Sequence, residues 1–86
     1  MPKGNPALVR EAIYDVVRRQ IENGTPLETE MTLLRLMSEG KTGEEAMRLL
    51  ACVVSSEILR LVKNRVMYDE VKFIQKLNAL PVLPLD

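Results

Sequence analysis

Residues typical of helix starts and helix ends divide this chain into four segments of helical length. A polar residue followed by proline, as in Asn5-Pro6 and Thr25-Pro26, is typical of a start, because the polar side chain caps the helix and proline is tolerated in its first turn. Glycine, as in Asn23-Gly24 and Glu39-Gly40, is typical of an end, because it adopts left-handed backbone angles at little cost. These signals predict four helices, at residues 6–23, 26–39, 43–63 and 69–79.

Apolar residues recur at helical spacing inside these segments. In the second segment the spacing predicts that one stripe faces the core, formed by Leu27, Met31, Leu34 and Met37, with Leu33 and Leu36 beside it. Thr25 and Glu28 are predicted to form a capping box at its start, and Thr42 and Glu45 are predicted to do the same for the third segment.

The third segment is apolar around most of its circumference, since Arg48 is the only polar residue between Ala46 and Val54. Such a helix is either central to its fold or forms a dimer seam. No alternating pattern typical of strands appears, and Pro81 and Pro84 exclude a regular helix at the end. We therefore predict an all-α, compact four-helix bundle in a single domain spanning residues 1–86, with a Pro-rich extended C-terminal tail.

The charge balance excludes several classes of partner. The 86 residues contain 12 Lys+Arg and 12 Asp+Glu, and the basic residues are not concentrated in any one segment. We therefore expect no nucleic-acid partner and no binding to a membrane surface. The longest apolar stretch, residues 49–54, is far shorter than the ~20 residues of a membrane span, and no apolar signal core follows the first residues. We expect a cytoplasmic protein.

The residues needed for common catalytic and metal sites are scarce. The sequence has no histidine, a single cysteine, and four glycines that all lie near helix ends rather than in a phosphate-binding loop. We therefore predict no catalytic residue, no cofactor and no metal ligand, and we expect that the protein is not an enzyme. Cys52 lies in the most apolar stretch, where a buried, inert thiol is predicted and a reactive thiol is the alternative.

Glu57 is the polar residue whose position is most unusual. It shares a helix face with apolar residues, so it is predicted to lie in or beside the core. A buried carboxylate requires a partner, and Arg60, Ser56 or a residue of another helix would serve. Two interpretations stay open, a structural salt bridge and a functional acid. The second would make the protein a small-ligand or carboxylate metal-binding protein that uses Glu57 with Glu44, Glu45 or Tyr68.

The favoured prediction is a non-enzymatic protein–protein interaction module. The chain is small and its third helix is nearly all apolar, so we predict a homodimer formed through helix 43–63, the C-terminal tail, or both. The tail either packs over the helices or docks onto a second chain or another protein partner. The candidate interaction residues are Leu50, Val53, Val54, Glu57, Ile58, Leu61, Val82, Leu83 and Leu85.

Short motifs spread over residues 5–81 carry a resemblance to a known family. The matching pieces are Asn5-Pro6, Gln20-Ile21 with Pro26, Arg35-Leu36, Gly40, Glu45-Ala46, Val53-Val54, Glu57-Ile58, Tyr68-Asp69-Glu70 and Leu80-Pro81. In their order and spacing they resemble a family of small bacterial all-helical proteins classed as a domain of unknown function. Members of that family carry histidines on the first helix and at the places of Glu44 and Arg48, which this sequence lacks. The resemblance implies the helical fold and no particular activity.

Overall fold

The structure is a computed structural model that describes residues 6–84. Its four helices are α1 (Pro6–Asn23), α2 (Leu27–Ser38), α3 (Gly43–Asn64) and α4 (Glu70–Ala79). No strand occurs within the described range. The predicted all-α class and the four helices are therefore confirmed, and each helix boundary lies within one residue of its prediction. The predicted cap Asn5 and the tail residue Leu85 lie outside the described residues.

The helix ends follow the local chemistry of the sequence in most places. The Thr42 hydroxyl accepts a hydrogen bond from the Glu45 amide at 3.0 Å, and the Glu45 carboxylate accepts one from the Thr42 amide at 2.8 Å, so the predicted capping box is present. Gly24 has a φ of 62°, the left-handed conformation predicted for the end of α1. Asp69 caps α4 by accepting from the Lys72 amide at 3.3 Å.

The start of α2 differs from its prediction. Pro26 occupies the N-cap position after a cis Thr25–Pro26 bond, and α2 has no side-chain cap. The Thr25 hydroxyl instead donates to the Asn23 carbonyl at 3.2 Å. The predicted capping box of Thr25 and Glu28 is therefore wrong, because the chain enters the helix one residue later than the pattern indicated.

The core lies where α2 and α3 meet the other helices. Each of these two helices contacts the other three, whereas α1 and α4 do not contact each other within the described chain. The third helix is thus central to the protomer, one of the two arrangements that its apolar circumference predicted. The buried apolar residues are Val17, Leu36, Ala46, Leu50, Ala51, Val53, Val54, Phe73, Leu77 and Leu80.

The C-terminal tail begins inside this core. Leu80 is 2% exposed, and the Val82 amide donates to the Ala79 carbonyl at 2.9 Å, which closes a turn directly after α4. Val82 and Leu83 point outward and are exposed. The start of the tail therefore packs against the helices, while the two residues after Pro84 lie outside the described range.

The apolar stripe of α2 faces the solvent, against the sequence prediction. Leu27, Met31 and Leu34 are 56%, 58% and 57% exposed, while Thr29 and Thr32 on the opposite side are 1% and 4% exposed. The Thr29 hydroxyl reaches α1 and donates to the Gln20 side-chain oxygen at 3.0 Å, which satisfies it away from water. Met37 is also exposed, and of the predicted inward set only the flanking Leu36 and Leu33 pack in the core.

None of the helices in the described part of the chain is long and apolar enough to cross a membrane.

Candidate interaction surfaces

Glu57 lies at the centre of a buried charge cluster that joins α3 to α4. Its side chain is 4% exposed. Its Oε1 accepts hydrogen bonds from two atoms of Arg60, which lies one turn later on α3: from Nη2, and from Nε at 3.1 Å. Its second oxygen accepts from Lys76 Nζ of α4 at 3.1 Å, and Lys76 also donates to the Ser56 hydroxyl at 2.9 Å. Arg60 was among the partners expected from the sequence, and Lys76 fills the place of the residue from another helix.

These contacts keep Glu57 ionised. Burial alone would raise the pKa of its carboxyl group, but the hydrogen bonds and charges of Arg60 and Lys76 outweigh burial and hold the pKa below its ordinary value. The same contact with Glu57 raises the pKa of Arg60, so this guanidinium stays charged. Both oxygens of Glu57 are thus engaged with cations, which leaves the structural salt bridge as the interpretation that fits this geometry.

The residues predicted to assist Glu57 in ligand or metal binding do not converge on it. Glu45 precedes Glu57 by twelve residues on one continuous helix, a separation of about 18 Å along the axis. The Glu45 carboxylate closes the capping box, and hydrogen bonds from Thr42 lower its pKa. Glu44 is exposed and pairs with Arg48 at 3.3 Å. Within residues 6–84, no cluster of three or more His, Cys, Asp or Glu side chains is arranged to hold a metal ion.

Of the residues predicted to bind a ligand or metal together with Glu57, Tyr68 is the one close enough to be affected by the charge of Glu57. Partial burial raises the pKa of its phenol first, and the negative charges of Glu70 and Glu57 raise it further. Its ring packs against Phe73, with the ring centroids 6.0 Å apart. This phenol therefore stays neutral and packs beside the cluster, while the hydrogen bonds of Glu57 go to Arg60 and Lys76.

The candidate interaction residues divide into a buried and an accessible group. Leu50, Val53, Val54 and Glu57 are each less than 5% exposed, so the protomer's own helices cover them and they offer no surface to a partner. This corrects the prediction for these four residues, because α1, α2 and α4 all contact α3 and leave these side chains buried in the protomer. Leu61 is half-buried, and the exposed members are Ile58, Val82 and Leu83.

Two apolar surfaces were missed by the sequence analysis. The first is the outward stripe of α2, defined by Leu27, Met31 and Leu34, which the helical spacing revealed but assigned to the core. Its charged flank carries Glu28 and Arg35, which are seven residues apart and so lie on the same side of the stripe. The Arg35 guanidinium is fixed there, since it donates to the Leu77 carbonyl at 3.1 Å and pairs with Glu39.

The second missed surface is a cleft of about 580 Å³ between α1 and α3. Its apolar walls include Val9 and Ile13 from α1, Leu59 from α3, and Pro84 from the tail. Cys52 also lines this cleft and is exposed, which overturns the prediction of a buried thiol. Residues two apart on a helix differ in direction by about 200°. The side chain of Cys52 therefore points away from the core that the side chain of Leu50 enters.

Comparisons with profiles of known protein families, with curated protein sequences and with solved structures return no match. The resemblance to a bacterial helical family therefore stays a prediction.

Proposed function

We propose that this protein is a non-enzymatic helical interaction module that self-associates, with the outward stripe of α2 as its main contact. The observation that carries the proposal is the inverted packing of α2, which buries Thr29 and Thr32 and leaves Leu27, Met31 and Leu34 more than half exposed. Each large apolar side chain that becomes fully buried contributes about 1.5–3 kcal/mol. A second protein surface against this stripe would therefore stabilise the folded chain. A cytoplasmic location is part of the same proposal.

The pattern of the stripe supports a second copy of this chain as the partner. A two-fold contact requires a patch that is complementary to itself. Leu27 and Leu34 flank Met31 on its two sides, so an antiparallel pair with its axis near Met31 brings Leu27 of one copy against Leu34 of the other. In that arrangement Glu28 of each copy approaches Arg35 of the other, which adds attraction along the edge.

The exposed parts of α3 and the tail form a second surface that could serve the same function. The sequence predicted self-association through helix 43–63, the tail, or both, and Ile58, Val82 and Leu83 remain accessible for it. No contact within residues 6–84 favours this surface over the α2 stripe, so variants on each surface are needed to separate them.

The test is the mass of the protein in solution, measured by sedimentation equilibrium over a range of micromolar concentrations. We expect a species of twice the 9.8 kDa of one chain. Met31→Glu, which introduces a charge at the centre of the stripe, is expected to give monomer. Val71→Glu is the matched control, because Val71 on α4 is 64% exposed against 58% for Met31, and it is expected to leave the dimer intact.

Three results would decide against parts of this proposal. A wild-type protein that stays monomeric throughout the concentration range would reject self-association. A dimer that survives Met31→Glu but is lost in Leu83→Glu would move the contact from α2 to the tail. A dimer lost equally in Met31→Glu and in Val71→Glu would mean that added charge anywhere disrupts it, and the assignment to α2 would be withdrawn.

A further inference from the structure

The cleft between α1 and α3 combines apolar walls with two arginine side chains. Its volume of about 580 Å³ falls within the range of roughly 300–1,000 Å³ that is usual for small-molecule sites. Val9, Ile13 and Leu59 supply apolar surface from two different helices, and Leu59 is 61% exposed. A ligand with an apolar chain would therefore cover side chains that the folded protomer leaves in water.

Two arginines line the same cleft, Arg10 from α1 and Arg48 from α3, and the described residues that line it include no carboxylate. Both arginines also line a neighbouring cleft together with Glu11 and Glu44, so among the described residues the positive charge lacks a carboxylate only on the side lined by Val9, Ile13 and Leu59. Arg48 pairs with Glu44 at 3.3 Å in an exposed contact, and Arg10 forms no ion pair within residues 6–84. Among the described residues no carboxylate pairs with the Arg10 guanidinium, so it can donate hydrogen bonds to a bound anion.

We propose that this cleft binds a free anionic amphiphile, a carboxylate with an unbranched alkyl chain. The chain lies between Val9, Ile13 and Leu59, and the carboxylate pairs with Arg10 and Arg48. A second copy of the protein is a poorer occupant of this cleft, because its own copy of the cleft presents two arginines and, among the described residues, no carboxylate to pair with them.

Cys52 provides a direct measurement, because it is the only cysteine and it lines the cleft. The rate at which a thiol reagent modifies Cys52 in the native protein is followed while decanoate is added below its micelle-forming concentration. Since only the unoccupied protein reacts, the rate should fall by about tenfold when decanoate reaches ten times its Kd. Decanol, with the same chain and no charge, should protect Cys52 only at higher concentration.

The charge is tested on α1 with a matched pair of variants. Arg10→Gln should raise the Kd for decanoate by about twofold to fivefold, the scale of an exposed ion pair, and leave the Kd for decanol unchanged. Arg19→Gln is the control, because nine residues rotate the helix by about 180° and Arg19 lies exposed on the opposite face of α1. It should leave both values unchanged.

The apolar wall is tested by Leu59→Asn, which should weaken the protection by decanoate and by decanol alike. Circular dichroism of each variant confirms that the helices are intact. The proposal is overturned if decanoate gives no protection, or if it protects no better than decanol and Arg10→Gln has no effect. It is also overturned if Cys52 becomes protected with rising protein concentration and no added ligand, because a second copy then covers the cleft.

Discussion

Replacing Lys76 with methionine tests whether the Glu57 cluster stabilises the packing of α4 on α3. Methionine has a similar length and no charge, so the variant leaves the second oxygen of Glu57 buried without its 3.1 Å partner. A buried acceptor without a partner costs about 1–3 kcal/mol. Arg60 still holds the first oxygen, so the loss should stay below the roughly 3–5 kcal/mol of a fully broken buried pair. We expect a decrease in the free energy of unfolding of about 2 kcal/mol.

The assay is urea unfolding followed by circular dichroism at one fixed protein concentration, because self-association makes stability depend on concentration. In a domain of this size a loss of about 2 kcal/mol lowers Tm by roughly 8–16 °C. Lys72→Met is the control, since Lys72 lies one turn earlier on α4 and is exposed, and it should change stability by less than about 0.5 kcal/mol. Equal stability of the two variants would refute a stabilising role for the cluster.

The Lys76→Met variant also tests how stability depends on pH. The pKa of Glu57 in the folded protein lies below its ordinary value of 4.5, so its ion pairs contribute stability above that value and lose it as the pH falls through the folded pKa. Once Glu57 is protonated, Lys76 has no carboxylate to pair with. The stability difference between wild type and Lys76→Met should therefore be largest at neutral pH and should shrink in acid. A difference that stays the same from neutral pH down to the most acidic pH at which both proteins still fold would contradict this reasoning.

Two further predictions concern local structure. Thr42→Ala removes the capping box with Glu45 and should cost about 0.5–2 kcal/mol in urea unfolding, and Thr42→Asn should retain most of that stability because asparagine is an equally good cap. Leu36→Ala should cost about 2–5 kcal/mol because Leu36 is fully buried. Leu34→Ala, on the outward side of the same helix and 57% exposed, should cost much less in a monomeric background, and a larger loss for Leu34 than for Leu36 would show that α2 faces the other way.

Local sequence chemistry accounts for most of what could be predicted about the fold. Thr42, Glu45 and Asp69 cap helices through side chains that reach only three residues along the chain, so their role depends on little beyond their neighbours. Gly24 ends α1 because its own backbone preference allows a positive φ. The pairing of Glu57 with Arg60 belongs to the same class, since residues three apart on a helix are neighbours.

The side of α2 that packs against the core could not be predicted, because periodicity identifies the apolar side of a helix and not what covers that side. The usual assumption, that the apolar side faces the protomer's own core, failed at Leu27, Met31 and Leu34. The buried side is held by Leu36 and by Thr29, whose hydroxyl requires Gln20 of another helix as its partner. Lys76 was missed for the same reason, because its contact with Glu57 spans nineteen residues and exists only once α4 has packed on α3.

The two proposed surfaces lie on different elements, and this separation has a measurable consequence. The self-association stripe belongs to α2, and the cleft is formed by α1, α3 and Pro84. If neither occupant contacts the other, decanoate should bind with the same Kd to the wild-type dimer and to the Met31→Glu monomer, as measured by protection of Cys52. Because coupling between two binding equilibria is reciprocal, saturating decanoate should then leave the dissociation constant of the dimer unchanged, as measured by sedimentation equilibrium. A difference of more than about fivefold between the two Kd values, the lower end of typical coupling, would mean that dimer formation reshapes the cleft.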